Sequence, residues 1–382
     1  MADFSLRLYA PVLVAAGVFV DEVTERARAT WRRSVRATGG PWLGTFRLYD
    51  EEAVLRTWFN EYLGYEIEER YGAPTWRGLI WEMDYTHLGI TRRRTLAGVK
   101  NAVKGIYTDE TDTVQETTWA TKTSSISRFG RMEEILVMDG YLAATVEGRR
   151  DKVLAERAWP NAQPTGGRGA RATYLDVSVA GYAFTANNKY VTDADGLTGD
   201  ADEWVTAIVG TDLEFLAAGR IQANTFQVKR TLNVPQRAWE TLTEIASLGD
   251  SSLVPWKIYA DLNRLVHYEQ VDKTPRYFLH GGKLYDATSL KTEVAPWLLE
   301  AGVVVRDMEY PVGTAEAGSW LDDNRDIYLE ELTVTGDGGL SWSTEDFSET
   351  ELLAAQEDYL RSLGGSGTFQ TGFGDTGGGP QK

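Results

Sequence analysis

Cysteine is absent from the 382 residues, which excludes disulfides, thiolate metal sites and a cysteine nucleophile together. Histidine is nearly absent. His87, His267 and His280 are the full set; none sits in an H-E-x-x-H pattern or at metal-ligand spacing, and each is expected on a sheet surface. No G-x-S-x-G or Walker pattern occurs. Gly167-x-Gly169-x-x-Ala172 has the outline of a dinucleotide fingerprint, but it follows a proline loop and leads into a strand, where the fingerprint needs a strand before and a helix after. No apolar run approaches the roughly 18 residues of a membrane span. The longest, residues 9–20, is broken by Pro11 and Gly17 and closed by Asp21-Glu22, and reads as a buried strand pair. The first residues set Asp3 against Arg7, unlike the basic start of a signal peptide. Basic charge is also short. With 39 Lys and Arg against 56 Asp and Glu, the formal charge is −17, the wrong sign for binding nucleic acid through its phosphates. Such acidity serves solubility, or lines a passage that a phosphate chain must traverse without sticking.

What is abundant points to β structure. Glycine stands at 38 residues, above the roughly 7% norm, beside 13 Trp and 18 Tyr. From Arg26 onward the pattern RARATWRRSVR reads as a strand, with Arg26, Arg28, Thr30, Arg32, Ser34 and Arg36 on one face. Ala27, Ala29, Trp31 and Val35 fall on the other face, and Arg33 breaks the alternation. Four arginines on one face are either solvated or meet carboxylates of a neighbouring subunit, so Arg26, Arg28, Arg32 and Arg36 are candidate interface residues. A strand over 42–49 follows the Gly39-Gly40-Pro41 turn. Next comes a helix capped by Asp50, with Leu55, Trp58, Phe59, Tyr62 and Leu63 as its stripe and Gly64 at its stop. Strands resume over 75–85, with Leu79, Trp81, Met83 and Tyr85 on one face, and over 102–107; Arg92-Arg93-Arg94 between them reads as solvent-facing, with a subunit contact as the alternative.

The period turns helical over 139–157, and the loop PTGGRGA at 164–170 is the best boundary between two halves. Beyond it come a strand over 174–186 and helices over 201–209 and 235–248, the latter opened by Pro235 and closed by Gly249. A hairpin follows over 255–269, turning near 261–263. A second over 276–286 has a Gly281-Gly282 turn suited to positive φ. Strands are expected near Val303 and Leu332, and Ser348-x-x-Glu351 reads as a capping box opening a last helix with Leu352, Tyr359, Leu360 and Leu363 as its stripe. A glycine-rich tail closes the chain, in which Phe369 and Phe373 are the candidate anchors to a neighbouring chain. The expected division is 1–138, a first β domain with a helical insertion at 50–64; 139–170, a helical linker and Pro/Gly loop; 171–345, a second β domain; 346–364, a C-terminal helix; and 365–382, the tail. The fold class is mixed β/α.

Two acidic groups are weighed for chemistry. Asp193-x-Asp195 with Asp200, Asp202 and Glu203 has the look of a calcium loop, but counting twelve positions from Asp193 puts Thr198 and Trp204 where glycine and glutamate are required. A helix-capping loop fits better. Asp322, Asp323, Asp326, Glu330 and Glu331 near Trp320 have glycosidase ingredients, yet adjacent acids on a strand point to opposite faces and do not flank one bond. No catalytic, cofactor or metal residue is assigned.

Several short stretches resemble bacteriophage central tail-hub (baseplate hub) proteins. They are Trp76-Arg77-Gly78, Asn101-x-Val103-x-x-x-Tyr107, Ser125-Ile126-Ser127-Arg128-Phe129-Gly130 running into Glu133-Glu134, Gly181-Tyr182-x-Phe184-Thr185, Pro235-Gln236-Arg237-Ala238-Trp239, Pro255-Trp256-Lys257-Ile258-Tyr259, and residues 304–312. The resemblance implies that the first three belong to strands of a first β domain. It implies two tube-like antiparallel, β-barrel-like domains per chain and a homotrimer whose six similar domains surround a channel for DNA. The implied partners are the tail tube or distal tail protein, the tip fibre and the tape measure protein; the implied place is the virion tail tip. No active site transfers with it, and no enzyme activity or cofactor is expected. Two other readings stand beside it, a carbohydrate-active tail-tip protein (glycan binder or glycosidase) and another ring-forming component such as a distal tail protein.

Overall fold

In a computed structural model the described residues are 4–10, 17–109, 111, 113–165, 172–191, 198–213, 216–229, 236–288, 293–308, 325–346 and 349–362. They form a mixed α/β structure: one large sheet, three smaller sheets and eight α-helices among the described residues. The large sheet holds 14 strands. Its main path runs Phe19–Glu22, Phe4–Tyr9, Glu66–Tyr71, Ala73–His87, Tyr174–Ala180, Gly40–Leu48, Arg32–Arg36, Arg325–Thr335, Val303–Asp307, Pro275–His280 and Lys283–Asp286. This path is open, and no closed barrel is present among the described residues. Pairing along it is antiparallel except where Pro275–His280 runs parallel to Val303–Asp307.

Strand Tyr174–Ala180 lies between Ala73–His87 and Gly40–Leu48, pairing with both, and Arg325–Thr335 pairs with Arg32–Arg36. Segments far apart in sequence thus share one ladder. The close approach needs glycine at one corner: a Cβ on Gly181 would collide with the Pro41 carbonyl.

Three apolar clusters are present among the described residues. The first packs helix Glu52–Glu61 on the sheet around Trp31, Trp58 and Trp76, with the Trp31 and Trp76 rings edge to face at 5.5 Å. The second joins helices Tyr182–Ala186, Ala201–Asp212 and Ala238–Ser247 to the small sheet of Ala217–Ile221, Leu265–Gln270 and Trp256–Ala260. The third lies around Tyr277, Val305 and Leu329.

The turn chemistry behaves as residue type dictates. Gly281 and Gly282 have φ of 56° and 75° between the paired strands Pro275–His280 and Lys283–Asp286. Asp261 accepts from the Asn263 and Leu265 amides at 2.8 and 2.9 Å, closing the hairpin of Trp256–Ala260 and Leu265–Gln270.

Five local expectations are corrected. The arginine-rich stretch is not a strand from Arg26: Thr24–Ala27 is helical, Arg28–Thr30 is a 3-10 turn, and the strand begins at Arg32. Ser125 to Phe129 lie in a helix, Thr123–Phe129, stopped by Gly130 at φ 78°, and the strand that follows is Glu133–Asp139. Residues 182–186 form a short helix rather than extending the strand, because Gly181 turns the chain against Pro41. Leu79 and Trp81 do not share the buried face of Met83 and Tyr85. The register shifts opposite Ser178/Val179, so Trp76 and Ile80 are buried before the irregularity and Met83 and Tyr85 after it. Finally, Phe19–Glu22 does pair with Phe4–Tyr9, but Val18, Phe19 and Val20 are exposed rather than buried. The loop expected at 164–170 and the opening of the last helix at Ser348 lie largely outside the described residues, as does Pro235.

Candidate assembly interface

The four candidate arginines do not line up on one strand face. Arg26 sits on the helical turn and is spent within the chain, on Asp21 and on Asp50 at 2.9 Å. Burial works against its charge, but those two carboxylates outweigh it and raise its pKa. Arg28 is exposed, with its guanidinium 5.5 Å from the centre of the Phe4 ring. Arg32 is exposed and makes no ion pair with the described residues. Arg36 reaches Glu331 at 3.1 Å and lies 4.7 Å over the Trp42 ring. Arg28 and Arg32 are therefore the two of the set with charge left for another molecule. Phe369 and Phe373 lie outside the described residues.

Arg33, which breaks the alternation in the sequence, is the buried member. It is 2% exposed and pairs with Glu69, which is fully buried. Glu69 also accepts from the Trp31 indole and the Thr75 hydroxyl, each at 2.8 Å. It is one of three buried carboxylates on the strand Glu66–Tyr71. Glu68 accepts from Arg77 at 2.6 Å and Arg70 at 2.8 Å. Burial alone would raise its pKa, but the hydrogen bonds from Arg70 and Arg77 prevail and lower it. Glu66 accepts from Tyr182 and, at 2.6 Å, from Arg264, whose guanidinium lies 4.9 Å over the Tyr182 ring. Burial drives the Tyr182 hydroxyl far up, and the neighbouring Glu66 adds to it. Arg77 further donates to the Leu262 carbonyl at 3.1 Å. This belt fastens the 261–264 turn of the second cluster to the sheet that bears the first. Sequence reading missed it; the only signal was three glutamates in a six-residue strand with nowhere exposed to go.

Four of the residues that carry the hub resemblance, Asn101, Ser125, Arg128 and Glu133, are anchors. Asn101 donates to Ser125 Oγ at 3.2 Å and to the Gly130 carbonyl at 2.7 Å, and accepts from the Met132 amide at 2.7 Å. Ser125 in turn donates to the Ala158 carbonyl at 2.5 Å. Arg128 and Arg94 cap the last carbonyls of helix Glu52–Glu61: Arg128 donates to Glu61, and Arg94 to Phe59 and Asn60. Burial lowers the Arg94 pKa, and nearby Arg128 lowers it further. The solvent-facing expectation for Arg92-Arg93-Arg94 thus holds for Arg92 and for Arg93, which pairs at the surface with Asp84 at 2.6 Å, and fails for Arg94. Glu133, buried, accepts from the Tyr190 amide at 2.9 Å and Arg131 at 2.7 Å, docking its strand on residues 188–190.

The remaining candidates for chemistry have ordinary partners. His87 contacts the Thr173 hydroxyl at 3.0 Å, His267 lies 3.3 Å from Asp261, and His280 donates to the Met308 carbonyl at 3.0 Å. Asp200 caps helix Ala201–Asp212 in a capping box with Glu203, and Asp202 accepts from the Asn224 amide at 3.1 Å. Asp193 and Asp195 lie outside the described residues, as do Trp320, Asp322 and Asp323. Of that second acidic group, Asp326 is bound two-fold by Arg306 at 2.7 and 2.8 Å, and Glu330 accepts from Ser343 at 3.1 Å. No group of three His, Asp or Glu spaced to hold a metal occurs among the described residues. No helix among them is long and apolar enough to cross a membrane.

An open cleft of about 530 Å³ lies where the end of strand Ile90–Thr95, the end of helix Ala143–Arg157 and residues 159–163 meet.

No protein-family model matches the chain, and no curated protein matches its sequence. Several solved structures are similar to it, two of them tail proteins by description. One is a tail protein from Neisseria meningitidis MC58, at 8% identity and a TM-score of 0.42, over 91% of this chain and 98% of that one. The other is the prophage tail protein gp18 from Listeria monocytogenes EGD-e, at 8% identity and a TM-score of 0.40, over 94% of this chain and 99% of that one.

Proposed function

We propose that this chain is a structural component of a phage tail, a trimeric hub that joins the tail tube or distal tail ring to the tip and surrounds the path of DNA. The observation that carries the reading is the role of the residues behind the hub resemblance. Asn101, Ser125, Arg128 and Glu133 fix how a helix and a strand dock, and Tyr182 and Arg77 belong to the buried charge belt. What the resemblance transmits is a scaffold, and a scaffold is what a hub has to be.

The division into a first β domain at 1–138 and a second at 171–345, linked through 139–170, belongs to this proposal, with the strand Tyr174–Ala180 of the second inserted into the sheet of the first. So do the partners: the tail tube or distal tail protein, the tip fibre and the tape measure protein. The charge fits a conduit. Three copies at −17 each would carry −51, and an acidic wall lets a phosphate backbone slide without adhering. Arg28 and Arg32, which have no carboxylate partner among the described residues, are then available to a neighbouring subunit.

Immunogold electron microscopy of purified tails tests the placement. Label at the tail end distal to the capsid supports the hub. Label along the tube, or none on intact particles, contradicts it.

A further inference from the structure

We infer that the cleft beside Trp159 is a saccharide site, taking a neutral or N-acetylated oligosaccharide of gluco configuration. Its volume of about 530 Å³ falls within the roughly 300–1,000 Å³ of small-molecule sites. Trp159 is 40% exposed and is seated by an edge-on contact with buried Phe129, ring centres 5.9 Å apart. An indole open to solvent in a concave site offers a flat apolar surface with one donor at its rim. A pyranose whose hydroxyls are all equatorial offers the complement: a flat C–H face, with its hydroxyls directed outward in the ring plane.

The groups beside the indole suit those hydroxyls. Arg157, Asn161 and Gln163 line the same cleft, are exposed, and make no side-chain hydrogen bond or ion pair with the described residues. Two amides and a guanidinium supply both donors and acceptors. The electrostatics argue against a polyanion. Arg93 is neutralised by Asp84 and Glu82, at 2.6 and 3.4 Å, which leaves Arg157 as the one uncommitted cation among the described residues that line the cleft.

The walls are built before any ligand arrives. Lys100 N–H donates to the Arg157 carbonyl at 2.8 Å, Ser125 to the Ala158 carbonyl at 2.5 Å, and Gln163 pairs with Arg93 through the backbone. The anchors of the preceding section thus fix the segment that carries Trp159. A preformed site loses less freedom on binding.

Titration of the full chain with N,N′,N″-triacetylchitotriose and with cellotriose, followed by saturation-transfer NMR and calorimetry, tests the inference. Binding of at least one sugar at millimolar or lower concentration is expected, weakened about tenfold or more by Trp159→Ala. Because Trp159 touches Phe129, the exposed Asn161→Ala and Gln163→Ala variants serve as the second measure; each is expected to weaken binding several-fold with an unchanged melting temperature. Absence of transfer to both sugars overturns the inference. So does binding that persists unchanged in all three variants.

Discussion

The side-chain amide of Asn101 holds Ser125 across 24 residues of sequence, donating to its hydroxyl at 3.2 Å while accepting from the Met132 amide at 2.7 Å. Both side chains are fully buried. Each polar atom of Asn101 has a partner, so the residue works as a three-way splice between the strand Ala102–Thr108, the helix Thr123–Phe129 and the turn at Gly130.

Replacing Asn101 by Leu removes the splice and leaves the Met132 amide and the Gly130 carbonyl buried without partners. A loss of about 2–3 kcal/mol in urea-unfolding free energy is expected. An unchanged midpoint would show that the pairings are not made in solution.

The buried pair Arg33 and Glu69 gives a sharper signature. Glu69→Leu strands a guanidinium that is 2% exposed, and should cost about 3–5 kcal/mol. The double variant Arg33→Met, Glu69→Leu should recover much of that loss, because a buried pair replaced by apolar groups is often neutral. A double-mutant cycle in denaturant measures the coupling; additive losses would contradict the pair.

Acid should loosen the charge belt. Glu68 has its pKa lowered in the folded chain by Arg70 and Arg77, so its contribution is fully present above the unfolded value of about 4.3 and is lost as pH falls through the lower folded value. Stability is therefore expected to fall as pH drops below about 5. Glu68→Gln should flatten that part of the profile, and an identical pH slope in the variant would refute the assignment.

Gly181→Ala places a methyl group against the Pro41 carbonyl at the corner where Tyr174–Ala180 leaves Gly40–Leu48. Overpacking of this kind costs about 1–3 kcal/mol. Thermal unfolding reads it, and an unchanged melting temperature would show that the corner gives way freely.

Much of the architecture was legible where a local rule decides the outcome. The Leu55, Trp58 and Phe59 stripe, the Gly281-Gly282 turn and the 261–263 hairpin turn are all local signals, and all three lie where the sequence puts them. What was not legible depends on partners distant in sequence. Alternation from Arg26 suggests a strand, but Thr24 and Ala27 bury one side of a helical turn under the sheet instead. Arg33 looks like a defect in a pattern until Glu69 is brought beside it. Ser125 to Phe129 are helical because Asn101 receives Ser125 and Gly130 ends the turn, neither of which periodicity reports. Which candidate arginines are engaged within the chain was not legible either: Arg26 and Arg36 pair with its own carboxylates, whereas Arg28 and Arg32 are exposed. The Trp159 cleft joins three segments, and no single stretch of sequence announces it.

Native mass spectrometry of the purified chain tests the central claim most directly. The account predicts a species at three times 42.5 kDa that persists on dilution and weakens when Arg28 and Arg32 are both replaced by Glu. A monomer at every concentration, or a stable assembly whose copy number is not a multiple of three, would contradict it.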